Sequence, residues 1–267
     1  MANNVWVIGD TIIDVNTYGE PIGLSAETPT VCMRWVRETT TLGGAAFVAR
    51  NLDALGQAYT LVSNDSVGLP TTTKHRFWCG GYKLLQVNRV ESILNNAASE
   101  DAVLDSLLSL HISAGDIVVF ADYRNGLLTE YIVAAVIRRC EEVGAITFAD
   151  SQVSKRPSNH EWYEYVDIMF VNEHEERYVP GSFCGRLVVK HGANGASEHY
   201  DDQEIHVPGH SINVVDTCGA GDAFLAAYVY QYLRNPRTAL EFANRWAALK
   251  CTKSGMETPS LEDLEHV

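Results

Sequence analysis

Short apolar runs rich in β-branched residues alternate with longer helical patterns along most of the chain, and this alternation constrains the fold most strongly. Buried strands are predicted at 5–8, 59–62, 117–120, 145–148, 168–171 and 187–189. Helices are predicted at 44–55, 127–142, 220–233 and 236–252. The pattern predicts an α/β fold with three layers, in which helices cover both faces of a mostly parallel sheet. Ligands of such sheets bind outside the carboxyl ends of the strands, so we look for functional residues there.

Two segments interrupt this alternation, at residues 14–41 and 70–91. Both are rich in Thr, Val and aromatic residues and lack helical periodicity. They predict the strands of a small separate sheet that folds over the site as a lid. Long loops, or an extension of the main sheet, are the alternative, although unstructured loops of this length are uncommon in compact domains.

Charge and cysteine content exclude several classes of function. The chain has 20 Lys and Arg against 34 Asp and Glu, a formal net charge of −14, which argues against nucleic-acid binding and a polybasic membrane surface. No apolar run approaches the length of a membrane span, and the first residues lack the basic region of a signal peptide. The six cysteines are scattered without a CxxC pair, which disfavours zinc and disulfides. We therefore expect a cytoplasmic protein that binds neither nucleic acid nor membrane.

The stretch NVVDTCGAGDAF at residues 213–224 carries the most chemical information. Gly219, Ala220 and Gly221 are small residues at a predicted loop-to-helix junction, where unpaired N–H groups and the helix dipole create an anion site. Asp222 in the first helical turn could simply cap the helix. A carboxylate beside an anion site also suits a general base that accepts a hydroxyl proton during phosphoryl transfer.

Two other classes of nucleotide site are disfavoured by pattern. The sequence contains no GxxxxGK[ST], which excludes a P-loop. It contains no GxGxxG after the first predicted strand, which disfavours a Rossmann dinucleotide site.

The motif DTCGAGD resembles the C-terminal signature of the ribokinase-like (PfkB) carbohydrate kinases. The resemblance implies that Asp222 is the catalytic base and that residues 219–221 form the anion hole for the γ-phosphate of ATP. Further landmarks follow in the family's order over almost the whole chain. They are the GD…D opening at residues 9–14, LGGAA at 42–46, NEHE at 172–175 and VKHGANG at 189–195.

The same resemblance assigns expected roles to other residues. Asp14, Gly43 and Gly44 would bind the sugar. Asn172 and Glu175 would hold Mg²⁺ through water, although the pair could also be an ordinary helix cap. The residues expected to flank the nucleotide are Asn172, Lys190, Gly192 and Gly195. Asp216 and nearby carbonyls resemble the family's monovalent-cation loop, which would take K⁺.

Three stretches resemble one branch, the heptose-7-phosphate kinases: GDTIIDVNTYGEPIGLSAETPTV, PTTTKHR and FADYRNGLL. They imply that Lys74, Arg76 and Asp122 contact the acceptor, although Asp122 could equally cap a helix. The lid strands of these kinases often pair between subunits, so we expect a homodimer. We also expect residues 1–267 to be a single kinase domain without the nucleotidyltransferase half of some relatives.

The acceptor side departs from that branch. Phe47 stands where Asn is usual, Asn125 replaces a Lys, and Gln86 replaces an Arg. Residues 64–73 and 172–186 are shorter than in the family. We therefore expect an ATP-dependent kinase of a sugar or sugar phosphate, such as heptose 7-phosphate. The alternatives are a catalytically impaired regulatory protein that binds nucleotide or sugar, and a kinase of a nucleoside or other small alcohol.

Overall fold

The computed structural model describes residues 3–90, 97–153 and 157–266. Its strands are β1 (Val5–Gly9), β2 (Thr11–Leu24), β3 (Val31–Gly44), β4 (Thr60–Val62), β5 (Thr72–Cys79), β6 (Tyr82–Arg89), β7 (Ile117–Asp122), β8 (Ile146–Ser151), β9 (Ile168–Asn172), β10 (Arg186–Lys190), β11 (Ala196–Tyr200) and β12 (Gln203–Val207). Its α-helices are α1 (Ala45–Ala54), α2 (Ala97–Leu108), α3 (Glu130–Val143), α4 (Ala220–Tyr232) and α5 (Ala239–Cys251). Short 3-10 helices cover His160–Tyr163, Glu176–Tyr178, Gly192–Asn194, Pro236–Thr238 and Glu262–His266.

The large sheet has eight strands in the order β12-β11-β10-β9-β8-β7-β1-β4. The six strands from β10 to β4 are parallel, and all six predicted strands are among them. β11 and β12 add an antiparallel hairpin at one edge. The hairpin was not predicted, because its polar residues lack the buried apolar run of the central strands.

Helices cover both faces of this sheet, so the predicted three-layer architecture is confirmed. α1, α4 and α5 pack on one face around Phe148, Tyr228 and Trp246. α2 and α3 pack on the other face around Phe120 and Tyr163. Burying a side chain of this size typically stabilises a fold by about 1.5–3 kcal/mol, so these two apolar layers hold the sheet in place.

The four predicted helices are present, with shifted boundaries. α3 begins after residue 129 rather than at 127, because the N–H of Leu127 donates to Asp10 and Thr129 caps the helix, its Oγ1 accepting from the N–H of Ile132 at 3.3 Å. α3 ends at Gly144 in the left-handed conformation, with φ +75°. α2 was not predicted, since its polar residues weaken the apolar period. In the described ranges, no helix is long and apolar enough to span a membrane.

The segments 14–41 and 70–91 form the predicted separate sheet, except that residue 91 lies outside the described residues. The strand order is β3-β2-β5-β6. β2 and β5 run parallel, with Asp14 opposite Lys74 and Asn16 opposite Arg76. Side chains alternate between the two faces of a strand, so Asp14, Lys74 and Arg76 share one face of the small sheet.

Candidate active site

The first turn of α4 is built so that a ligand can approach its backbone. Gly219 caps the helix with φ +77°. A Cβ at this position would lie 2.3 Å from a ring carbon of Phe47, so both the conformation and the space require glycine. At Gly221, a Cβ would lie 3.6 Å from Nζ of Lys190. The helix N-terminus and this ammonium therefore present positive charge at one place, as an anion site requires.

Asp222 lies in this same turn and is half-buried. The hydroxyl of Tyr123 donates a hydrogen bond to its carboxylate. Burial raises the pKa of Asp222 to about 7, with Tyr123 and Lys190 opposing the rise and Asp150 adding to it. A carboxylate that titrates near neutral pH is matched to general base catalysis.

Asp150 is a residue of the site that we did not predict from the sequence. It ends the apolar part of β8, and its Oδ2 accepts from Nζ of Lys190 at 2.5 Å. Burial alone would lower the pKa of Lys190, but the charge and hydrogen bond of Asp150, together with the charges of Glu175 and Asp222, outweigh it, and the pKa is raised. One sequence feature could have indicated Asp150. The triplet FAD occurs at the ends of two neighbouring strands, at residues 120–122 and again at 148–150.

Asp14 and Arg76 form an ion pair on the small sheet, with Nη1 of Arg76 donating to Oδ1 of Asp14 at 2.5 Å. A Cβ on Gly43 would lie 2.5 Å from Oδ2 of Asp14. Gly44 has φ +67°, and a Cβ there would lie 2.2 Å from the carbonyl of Asp10. The two adjacent glycines therefore let the backbone pack directly against Asp14 and Asp10. The structure thus brings together four of the six residues predicted to bind the acceptor: Asp14, Gly43, Gly44 and Arg76.

Two electrostatic effects connect the small sheet with α4. Lys74 is among the groups that lower the pKa of Asp222. Burial raises the pKa of Cys218, just before the anion site, and Asp216 and Asp14 raise it further while Arg76 lowers it. The small sheet thus places its charged face near the first turn of α4.

Asp122, predicted either to contact the acceptor or to cap a helix, is enclosed by donors from the chain itself. Its side chain is 1 % exposed. The carboxylate accepts from the N–H of Arg124 at 2.8 Å, Nδ2 of Asn159 at 2.7 Å, and the hydroxyls of Tyr163 at 2.9 Å and Ser151 at 3.1 Å. These bonds use its acceptor positions, so in this structure Asp122 fixes the turn that carries Tyr123.

Asp10 supports the same turn from the other side. It is fully buried and accepts from the N–H groups of Asn125 at 3.1 Å and Leu127 at 3.2 Å. Burial, and then the charge of Asp122, raise the pKa of Asp10 to about 6. The loop after β7 is therefore held between two buried carboxylates.

Asn172 and Glu175 bond to each other in the manner of a capping box. Oδ1 of Asn172 accepts from the N–H of Glu175, and Oε2 of Glu175 accepts from the N–H of Asn172, both at 3.0 Å. The other oxygen of Glu175 accepts from the N–H of Val153 at 3.2 Å. Burial raises the pKa of Glu175, and Asp150 raises it further. The helix-cap alternative therefore describes the contacts made here.

The carboxylates of Asp150, Asp222 and Glu175 nevertheless suit a magnesium ion whose other ligands would come mainly from a nucleotide. Within the residues described, no cluster of three or more His, Cys, Asp or Glu could hold a metal. Mg²⁺ commonly keeps several waters and takes only one or two carboxylates together with substrate phosphates. Asp150 raises the pKa of both Asp222 and Glu175, so negative charge accumulates here and a divalent cation would neutralise it.

The remaining predicted residues lie in two loops. Gly192 and Gly195 turn the chain after Lys190, with φ +57° and +99°. Asp216 fastens two backbone segments, accepting from the N–H of Cys218 at 2.9 Å and of Gly255 at 3.0 Å. Both loops lie next in sequence to residues of the anion site.

An anion site at a helix N-terminus with a partly buried carboxylate beside it is typical of phosphoryl-transfer proteins, and the comparison with family models agrees. The model of the pfkB family of carbohydrate kinases matches residues 81–264, more than half of the chain. The chain therefore belongs to the pfkB family of carbohydrate kinases.

The chain is also similar to two bacterial proteins of one name. "Bifunctional protein HldE" of Hyphomonas neptunium is 27 % identical over 313 residues, covering 99 % of this chain and 63 % of the relative. The protein of the same name from Caulobacter sp. strain K31 is 24 % identical over 310 residues, covering 97 % and 62 %. The chain thus spans less than two thirds of the length of these relatives.

Solved structures confirm the ribokinase-like fold. Phosphofructokinase-2 from Escherichia coli in complex with potassium aligns with a TM-score of 0.74 at 16 % identity, covering 100 % of this chain and 98 % of that one. Arabidopsis thaliana ribokinase complexed with ribose and ATP aligns with a TM-score of 0.69 at 17 % identity, with the same coverage.

Proposed function

We propose that this chain is an ATP-dependent carbohydrate kinase that transfers the γ-phosphoryl group to a hydroxyl of a sugar or sugar phosphate. The observation that carries the proposal is Asp222, a carboxylate with a pKa of about 7 in the first turn of α4. Base and anion site share one turn, so a hydroxyl held by the base lies next to a phosphoryl group held by the backbone.

Asp222 accepts the proton of the acceptor hydroxyl. The oxygen of that hydroxyl attacks the γ-phosphorus, the bond between this phosphorus and the β-phosphate oxygen breaks, and ADP leaves. Tyr123 holds the carboxylate in place and keeps more of it ionised at neutral pH. The N–H groups of Gly219 and Gly221 stabilise the charge on the phosphoryl group in transfer, and each such donor is typically worth about 3–4 kcal/mol. The N–H of Ala220 donates to the carbonyl of Thr217 at 3.2 Å and supports the turn instead.

Lys190 adds a cation to the anion site, beside Gly221. Its ion pair with Asp150 fixes its position before nucleotide arrives, which reduces the cost of organising the site. Asp150 and Glu175, through water, are the residues that would hold Mg²⁺. When bound, this ion would neutralise phosphate charge.

The acceptor side favours an anionic sugar. Arg76 is committed to Asp14, which leaves Oδ2 of Asp14 beside the Gly43 backbone as an acceptor for a sugar hydroxyl. Lys74 lies near the base and forms no ion pair within the described residues, so its ammonium is available for a second anion. A sugar phosphate such as heptose 7-phosphate matches this arrangement, the branch resemblance and the relatives named HldE.

The opposite face of the small sheet supports a homodimer. This face is opposite the one that carries Asp14, Lys74 and Arg76. It carries the apolar side chains of Leu42, Leu85 and Val87, which are 45 %, 56 % and 48 % exposed. Exposed apolar side chains grouped on one sheet face are typical of an interaction surface. We propose that this face pairs with the same face of a second copy. Val87→Lys would prevent the pairing, so the molar mass measured by light scattering after size exclusion should fall from that of a dimer to that of a monomer.

A panel of sugars, sugar phosphates and nucleosides tests the proposed function, with ADP release and the ³¹P spectrum of the product as readouts. We expect a phosphorylated product from a sugar phosphate. Lys74→Met should raise the KM of that acceptor at least tenfold, while Lys83→Met on exposed β6 should not. ATP binding without turnover over the whole panel would favour a regulatory binding protein, and turnover of nucleosides alone would favour a nucleoside kinase.

A further inference from the structure

Lys250 on α5 is a charged residue in an apolar setting. Its side chain is fully buried, and its Nζ has no hydrogen-bond partner in the described part of the chain. An ammonium has three donors, and burying it unpaired is costly. Because this burial lowers the stability of the fold, a functional role of Lys250 would explain why a lysine stands here.

The surroundings of Lys250 place it against the interior side of the anion site. Its Nζ lies 5.9 Å from the ring centroid of Phe47, and the same ring contacts the position where a Cβ on Gly219 would stand. Burial lowers the pKa of Lys250, and Asp216 leads the groups that oppose the lowering, followed by Cys218, Cys251 and Glu257. The ammonium and the loop from Asp216 to Gly219 are therefore electrostatic neighbours.

This loop is the one predicted to bind a monovalent cation, but its oxygens do not fit one well. The carbonyl of Cys251 accepts from the N–H groups of Val215 at 2.8 Å and Asp216 at 3.1 Å, which uses both lone pairs. Each carboxylate oxygen of Asp216 accepts one backbone N–H, which uses two of its four acceptor positions and ties the carboxylate to the loop. A second cation would also be repelled by the nearby ammonium of Lys250.

We propose that Lys250 supplies, from within the chain, the positive charge that a monovalent cation would bring to the Asp216–Gly219 loop. Lys250 is then a positioning residue. Its charge balances Asp216, and its contact with Phe47 supports Gly219 from behind, so the anion site is formed without added K⁺. The role in catalysis rests on the proposed kinase function, whereas independence from K⁺ can be measured without turnover.

The test compares the purified full chain in KCl and in choline chloride of equal ionic strength. For the wild type we expect the same melting temperature and, with an active acceptor, the same kcat in both salts. Lys250→Met keeps most of the length of the side chain and removes its charge. In choline chloride its kcat should fall about tenfold or more with the acceptor KM unchanged. KCl should restore part of the activity and raise its melting temperature, because a cation that binds only the folded state stabilises it.

Lys253→Met is the matched control, since Lys253 follows on the same segment and pairs with Asp263 at the surface. It should behave as the wild type in both salts. A wild type whose melting temperature or activity rises specifically with KCl would overturn the proposal, and this holds even if Lys250→Met fails to fold. A Lys250→Met variant with wild-type kcat in choline chloride would also overturn it. If no acceptor is turned over, the melting temperatures still decide the question of cation binding.

Discussion

Replacing Tyr123 by Phe removes the hydroxyl that donates to Asp222 and leaves the ring in place. This hydrogen bond stabilises the ionised carboxylate, so its loss should raise the pKa of Asp222 above its value of about 7. Hydrogen bonds to charged groups are worth about 1.5–3 kcal/mol, and we take about 1.5 kcal/mol because Asp222 is only partly buried. One pH unit corresponds to about 1.4 kcal/mol, so the expected shift is about one unit.

The assay is the pH dependence of kcat/KM for the phosphorylated acceptor. Since the base acts in its ionised form, activity should rise with pH, and in Tyr123→Phe this rise should be centred about one unit higher. Near pH 7 the variant should be several-fold less active, and it should recover wild-type activity well above pH 8. Tyr131→Phe, at an exposed position on α3, should leave the profile unchanged. A profile of Tyr123→Phe that is lowered equally at every pH would refute the reasoning.

Three further predictions concern the scaffold of the site. Gly219→Ala should destabilise the fold by about 1–3 kcal/mol more than Gly56→Ala in urea unfolding. Both have positive φ, but only the first meets Phe47, so equal losses would contradict the packing account. Because its folded pKa is raised from 3.8 to about 6, Asp10 contributes stability at low pH that is lost as pH rises through this range. Between pH 4 and 7, the unfolding free energy of the wild type should therefore fall by about 3 kcal/mol relative to that of Asp10→Asn. Parallel curves of unfolding free energy against pH for the two proteins would contradict this. Asp122→Ala should lower stability by about 3 kcal/mol or more with an unchanged acceptor KM at low temperature. A large rise in KM with full stability would instead make Asp122 a substrate ligand.

The architecture could be predicted from the sequence because periodicity reports burial. The parallel strands are buried on both faces and read as continuous apolar runs, so all six were found. The β11–β12 hairpin and α2 carry mixed polar residues, and their structure depends on tertiary packing that a local pattern does not contain.

The sequence predicts the candidate site most directly where local backbone geometry defines it. Small residues before a helix indicate an anion site, and Asp222 follows directly. By contrast, the partners of Asp150 and Tyr123 come from distant segments, 40 and 99 residues away, and no spacing reveals them. Asp122 shows the converse, since the resemblance of its stretch to one branch implied a contact with the acceptor, while its surroundings supply four internal donors.

The most direct test of the central claim is the turnover of Asp222→Asn with saturating ATP and acceptor, together with calorimetric binding of ATP. If Asp222 is the base, kcat should fall by about 10²–10⁴-fold while ATP binding is retained. Asp202→Asn, on the exposed turn between β11 and β12, should keep wild-type turnover. An Asp222→Asn variant with wild-type kcat would contradict the account of this site as the centre of phosphoryl transfer.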